Sequence, residues 1–206
     1  MPRGRAKNYD DQRELILAHA ATLFAQRGYP GTSMNEVAQA CGLSKATLYH
    51  YYRDKYALLV SIAEGHVTRL QGIVGAALAE ESAPQGQLRA LIRRLVEEYA
   101  SAQNEHRVLT EDVRFLAPAD RERILAKERE VVAAFTRVVV ALRPDLKQAA
   151  LGKPLTMLLF GMVNWMFTWM KPEGALAYED MAPVVADLFL GGLPAVQAPL
   201  QPTIVE

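Results

Sequence analysis

Apolar residues recur at three- to five-residue steps along most of this chain, and Pro and Gly clusters punctuate them. No run of alternating Val, Ile or Thr proposes a sheet. The pattern predicts an all-α fold of about nine helices. The first helix is expected to open at Asp10 or Asp11, to turn Leu15, Ala18, Leu23 and Phe24 inward, and to end at Gly28 before Tyr29-Pro30-Gly31. Ser33-Met34-Asn35-Glu36 then has the S-x-x-E form of a capping box, in which Ser33 accepts from the backbone of Glu36 while Glu36 reaches back. A short helix therefore starts at Ser33. It stops at Gly42, which tolerates the left-handed backbone of a sharp turn, and Ser44 caps a third helix holding Lys45 to Tyr51. Asp54 caps a long helix reaching about Leu78, ahead of Ser82-Ala83-Pro84-Gln85-Gly86. Further helices are expected near residues 87–102, 105–115, 119–142, 154–169 and 179–190. Residues 194–206 are Pro-rich and lack helical periodicity, so a loosely held tail is expected there.

Two short helices joined by a glycine turn and braced on a first helix have the form of a helix-turn-helix, here spanning 33–52. In that motif the second helix lies in the major groove with its N-terminal residues on base edges. Small Ala38 suits the crossing of the two helices, and Val37, Leu43 and Leu48 supply the apolar contacts that hold the pair. Outward on the second helix are left Lys45, Ala46, Thr47, Tyr49 and His50. Thr47 can bond a base edge or touch a thymine methyl, and Lys45 can reach guanine acceptors or a phosphate. Tyr49, His50 and Tyr51 can donate to phosphate oxygens. The helix starts near Thr32, Ser33 and Met34, and near Lys55, offer N–H groups at positive dipole ends that favour phosphate. Tyr52 follows Leu48 by four residues and is expected to pack inward, with Tyr51 intermediate.

Charge and composition refine this picture modestly. The 206 residues are half hydrophobic and carry no formal net charge, which argues against a protein that coats nucleic acid without selection. Residues 1–60 hold eight Lys or Arg against five acids, so the basic excess falls on the helix-turn-helix end. Arg3, Arg5 and Lys7 are read either as a minor-groove arm or as a solvated basic tail. The single cysteine, Cys41, precludes an internal disulfide and is expected to serve as a small buried hydrophobe. No export signal is visible, and a cytoplasmic protein is expected. The most apolar stretch, 155–170, is 16 residues long, contains Asn164 and is bounded by Lys153 and Lys171. It falls short of the roughly 20 residues of a membrane span and reads as a helix buried on all sides. No spacing for a zinc site, a phosphate loop or a nucleophile with its base occurs, so neither a metal, a cofactor nor an enzymatic activity is expected.

The run Thr32 to Ala38, continued by Gly42-Leu43-Ser44-Lys45-Ala46-Thr47-Leu48-Tyr49-His50-Tyr51-Tyr52-Arg53-Asp54-Lys55, resembles the DNA-binding region of TetR-family regulators over about residues 10–70. Tyr52 stands where that family often has Phe. The resemblance implies a homodimeric repressor on a palindromic DNA operator. It divides the chain into a basic tail (1–9), a DNA-binding domain (10–55), an effector-binding and dimerisation domain (56–193) and a flexible tail (194–206). The pattern Gly161-x-x-Asn164-Trp165-x-x-x-Trp169-x-Lys171-Pro172-x-Gly174 is similar to the C-terminal domains of members that regulate fatty-acid and aromatic-acid degradation, whose effectors are acyl-CoA thioesters. The resemblance implies a hydrophobic small-molecule effector held by Tyr99, Arg114, Phe115, Met162 and Trp165, with thioester phosphates meeting Arg93, Arg94, Arg114 or Arg121. The alternative is an efflux or other regulator that senses a different hydrophobic molecule. A helical interaction module without DNA binding is the reading from another class; it leaves Lys45, Thr47 and Tyr49 unexplained.

Overall fold

A computed structural model describes residues 3–148, 150–170 and 175–197. Every regular element among these residues is helical: α1 Arg3–Arg27, α2 Met34–Ala40, α3 Lys45–Tyr51, α4 Lys55–Glu80, α5 Pro84–Ser101, α6 Gln103–Glu111, α7 Pro118–Leu142, α8 Asp145–Gln148, α9 Gly152–Trp169 and α10 Met181–Gly192. Short 3-10 turns occupy Val113–Phe115 and Leu193–Ala195. The all-α class expected from the sequence is the one observed.

The chain folds as two compact units. The first takes the residues up to Arg69 together with Ala102–Lys127; the second takes Leu70–Ser101 and the residues from Glu128 onward. The first unit is thus larger than the segment 10–55 expected to bind DNA, and α4 and α7 each contribute to both units. Its core is built from Ile16, Ala20, Ala21 and Phe24 of α1, Val37 and Ala38 of α2, Leu48 of α3, Leu58, Leu59 and Ile62 of α4, and Val108 and Leu109 of α6. Each such buried large apolar side chain contributes about 1.5–3 kcal/mol.

Four expectations need correction. Residues 3–9, read as a tail, form the first turns of α1, because Asp10 and Asp11 lie inside the helix instead of capping it. The inward face of α1 is also phased differently: Leu15 and Ala18 are exposed, and Ile16, Ala20, Ala21 and Phe24 follow the 3.6-residue period more faithfully. The one-turn α8 was not foreseen, since four residues show no periodicity. Residues 194–196, expected in a loose tail, are held: Leu193–Ala195 is a 3-10 turn, and Arg143 donates to the carbonyls of Leu193 at 2.6 Å and Val196 at 3.1 Å. Residues 198–206 lie outside the described residues.

In the second unit, Phe135 of α7 and Phe160 of α9 meet with ring centroids 4.9 Å apart. Helices α7 and α9 approach so closely at Gly152 that a Cβ there would stand 2.6 Å from Val140 Cγ2. Beside it the Thr136 hydroxyl donates to that of Thr156 at 3.2 Å, and Thr156 donates to the Gly152 carbonyl at 2.9 Å, so the hydroxyl buried at this crossing is satisfied. Helix α9 is not buried on all sides within one chain. Thr156, Leu159, Phe160, Val163 and Met166 are interior, whereas Met157, Leu158, Trp165 and Trp169 are exposed, Trp165 by 66%. With Met181, Val184, Val185 and Leu188 of α10 they line an open apolar groove of about 510 Å³.

Candidate nucleic-acid interface

The helix-turn-helix is assembled by local hydrogen bonds that its sequence dictates. Ser33 Oγ accepts from the Glu36 amide at 3.3 Å, and Glu36 Oε2 accepts from the Ser33 amide at 2.8 Å, which completes the capping box. Arg27 at the end of α1 donates to Glu36 Oε1 at 2.6 Å, so the carboxylate that closes the cap also ties α2 to α1. The Ser33 hydrogen bonds, followed by the Arg27 charge, hold the Glu36 carboxyl below its ordinary range. Gly42 makes the turn with φ +64°, and the Leu43 amide donates back to Ala38 at 2.9 Å. Ser44 Oγ then accepts from the Thr47 amide at 3.0 Å to start α3.

Helix α3 sorts its residues as its pattern predicts. Leu48 is fully buried and Tyr52, just past its end, is 4% exposed, while Lys45, Ala46, Thr47, Tyr49 and His50 face solvent. Lys45 Nζ stands 5.9 Å from the Tyr49 ring centroid, and the Thr47 hydroxyl lies 2.8 Å from that of Ser44. One cation, two hydroxyls and one phenol therefore share one exposed surface, the chemistry that base edges and phosphates require.

Three residues expected at the DNA surface turn their side chains elsewhere. Thr32 is 2% exposed, and its hydroxyl donates to the carbonyls of Gly28 at 3.1 Å and Leu23 at 3.3 Å. Met34 is buried on the inner side of α2. The Lys55 ammonium donates to the carbonyls of Tyr29 and Thr32 at 2.7 Å each and lies 4.4 Å over the Tyr29 ring. Thr32 and Lys55 are expected at DNA for the N–H groups of the helix starts beside them; their side chains are captured by carbonyls at the end of α1 and in the turn that follows. Asp54 does cap α4, accepting from the Ala57 amide at 2.7 Å. Tyr51 is half-buried, its ring stacked on Tyr9, a residue the sequence reading left in the basic tail. The i, i+4, i+7 spacing of Tyr9, Arg13 and Ile16 was the signal that could have placed it on a helix face. Arg53, also passed over, keeps a side chain 80% exposed beside α3. Cys41 is half-buried, and burial pushes its thiol up, away from the reactive thiolate. The side chains of Arg3, Arg5 and Lys7 lie outside the described residues.

The residues expected to hold the effector are divided between the two units. Arg114 and Phe115 sit in the 3-10 turn of the first unit, where Phe115 packs against Tyr29 with centroids 5.6 Å apart and Arg114 lies 4.9 Å over Phe115. Met162 and Trp165 line the open groove of the second unit. Tyr99 is interior to that unit; burial, with the Glu128 charge, drives its phenol well above the ordinary value. Arg93 and Arg94, two of the four arginines expected to meet thioester phosphates, both pair with Glu80. Residues 171–174 of the C-terminal pattern lie outside the described residues.

Comparison with known proteins decides the family. The model for the C-terminal domain described as tetracyclin repressor-like matches residues 81–193, and that for the bacterial regulatory proteins of the tetR family matches residues 16–62. The chain belongs to the TetR family of transcriptional regulators. A TetR-family regulator from Bordetella parapertussis 12822 superposes with a TM-score of 0.83 at 33% identity, covering 90% of this chain and 97% of that one. AibR, solved in complex with isovaleryl coenzyme A and operator DNA, superposes with a TM-score of 0.73 at 27% identity, covering 86% and 97%. Among curated proteins, the transcriptional repressor KstR2 of Rhodococcus jostii is 24% identical over 88% of this chain and 91% of its own length. The chain spans only 41% of the length of another curated relative, the activator FasR of Mycolicibacterium smegmatis. Among the described residues no helix is long and apolar enough to cross a membrane.

Proposed function

We propose that this TetR-family protein is a cytoplasmic, ligand-responsive repressor that binds a palindromic operator as a homodimer and is released by a hydrophobic effector, an acyl-CoA thioester. The observation that carries the DNA-binding part is the outward set Lys45, Thr47 and Tyr49 on the doubly braced helix α3. The exposed apolar face of α9 and α10 supports the dimer. Trp165 and Leu188 are each 66% exposed there, and a Cβ at Gly161 would meet nothing within 4 Å, so a second copy could approach the backbone closely. Two recognition helices related by a twofold axis then meet successive major grooves about 34 Å apart.

KstR2 supports repression, and AibR, whose complex holds isovaleryl coenzyme A, supports the thioester. Of the expected effector residues, interior Tyr99 suits the wall of a ligand site best. Release follows if the thioester binds the conformation with misplaced α3 helices more tightly than the operator-bound one, since a ligand shifts an equilibrium only by its differential affinity. The test is titration of isovaleryl-, phenylacetyl- and long-chain acyl-CoA into the protein–operator complex. Dissociation by a thioester, and not by free coenzyme A, is expected. Persistence of the complex with every thioester contradicts the effector assignment and leaves a different hydrophobic molecule as the signal.

A further inference from the structure

Helix α3 is seven residues long, about 10 Å at 1.5 Å per residue, and a helix this short does not hold itself in place by its own backbone bonds. Its start is fixed by the Ser44 cap and its inner side by Leu48. Its far end is fixed by α1. The Tyr9 ring stacks on Tyr51 with centroids 4.8 Å apart and planes 26° from parallel, and meets His50 edge-on at 6.5 Å and 83°. His50 and Tyr51 also meet edge-on, at 5.8 Å. One turn further along α1, Arg13 lies 5.3 Å over the Tyr52 ring and donates from Nε to the Tyr52 hydroxyl at 3.4 Å. Tyr9 and Arg13, at i and i+4, share one face of α1. That face grips three consecutive residues at the end of α3.

The two grips differ in kind. Tyr52 is buried, so Arg13 closes over a core residue, whereas Tyr9 is 38% exposed and its stack lies at the rim. A rim stack adds little buried area. It does prescribe the relative plane of two rings, which an aliphatic contact does not. We infer that Tyr9 is a positioning residue for operator recognition: through Tyr51 and His50 it sets the angle at which α3 presents Lys45, Thr47 and Tyr49 to base edges. The inference rests on the proposed reading of α3 as the DNA-recognition helix. Two helical turns move as one body, so a tilt at Tyr51 displaces Lys45 and Thr47 at the other end. Bidentate base contacts tolerate little displacement, while flexible side chains follow a phosphate. Loss of the stack therefore lowers affinity for the operator and spares affinity for other DNA.

The experiment uses the full-length protein and two duplexes: the palindrome that the wild-type protein enriches from a random-sequence pool, and a scrambled duplex of the same composition. Tyr9→Ala is expected to weaken binding to the palindrome by about threefold to tenfold, the range of one aromatic pair. Binding to the scrambled duplex and the melting curve stay as in the wild type. Tyr9→Phe keeps the ring and retains wild-type preference. Tyr9→Leu keeps the apolar contact without the plane; it loses preference like Tyr9→Ala, and stands in for it if the alanine variant melts early. In combination with Tyr51→Ala, Tyr9→Ala adds nothing further. Wild-type preference in both Tyr9→Ala and Tyr9→Leu, or an equal loss on both duplexes, overturns the inference. Lys45→Ala separates the two failures. If it leaves sequence preference intact, or if the wild type enriches no sequence, the reading of α3 fails; if it removes preference while Tyr9→Ala does not, the role of Tyr9 alone fails.

Discussion

Lys55 donates to the carbonyl of Tyr29, 26 residues earlier in the chain, at 2.7 Å, and its ammonium stands 4.4 Å over the same tyrosine's ring. A second bond of 2.7 Å to Thr32 makes this lysine the clasp of the turn that joins α1 to α2. Its charge is spent on carbonyl dipoles of the turn itself, which belong to neither helix.

Replacing Lys55 by Met keeps the aliphatic stem and leaves those carbonyls short of a donor. The expected cost is about 1–3 kcal/mol of unfolding free energy, read from denaturant titration. The salt dependence of DNA binding by the folded protein stays unchanged. Lys45→Ala, by contrast, leaves stability intact and lowers the salt slope by about 1.8 if Lys45 of each of the two chains on the palindrome meets one phosphate. A reduced salt slope in Lys55→Met would show that this ammonium meets phosphate after all.

The site was legible in the sequence where its contacts are local. Caps and turns were readable because their partners are three residues apart: Ser33 with Glu36, Ser44 with Thr47, and Gly42 alone. The placements of Lys55 and Thr32 depend on carbonyls brought near by the fold, which no local pattern encodes. Helix α9 fails for a related reason. A sequence records that Trp165 and Trp169 avoid water, and it does not record whether their cover comes from the same chain.

That distinction is testable at Trp165. Since its side chain is 66% exposed in one chain, Trp165→Glu is expected to leave the helical spectrum and the monomer fold intact while shifting sedimentation equilibrium from dimer to monomer. Leu188→Glu, on the neighbouring helix of the groove, is expected to do the same. Two variants that sediment as dimers would place the interface elsewhere.

The first unit also carries a buried histidine pair. His66 Nε2 and His106 Nδ1 lie 3.3 Å apart between α4 and α6. Burial, helped by the His66 charge, lowers His106 from 6.5 to about 3. The unfolded chain therefore takes up a proton near pH 6.5 that the folded chain refuses until about pH 3. Stability from this group is whole above pH 6.5 and falls with acidification, by about 1.4 kcal/mol per pH unit, down to the folded value. Unfolding titrations from pH 7 to pH 4 on the wild type and His106→Leu check it. The variant is less stable at pH 7 and shows a shallower acid slope. Parallel slopes would mean that His106 protonates without unfolding.

Two features of the account remain separable, the reading of DNA and the sensing of a ligand, and the first is prior. It is tested most directly by fluorescence anisotropy with a palindromic duplex from the DNA upstream of the protein's own gene, at physiological salt, against a scrambled duplex. The account predicts two chains per palindrome and binding at least a thousandfold tighter than to the scrambled sequence. Equal affinity for the two duplexes would contradict it.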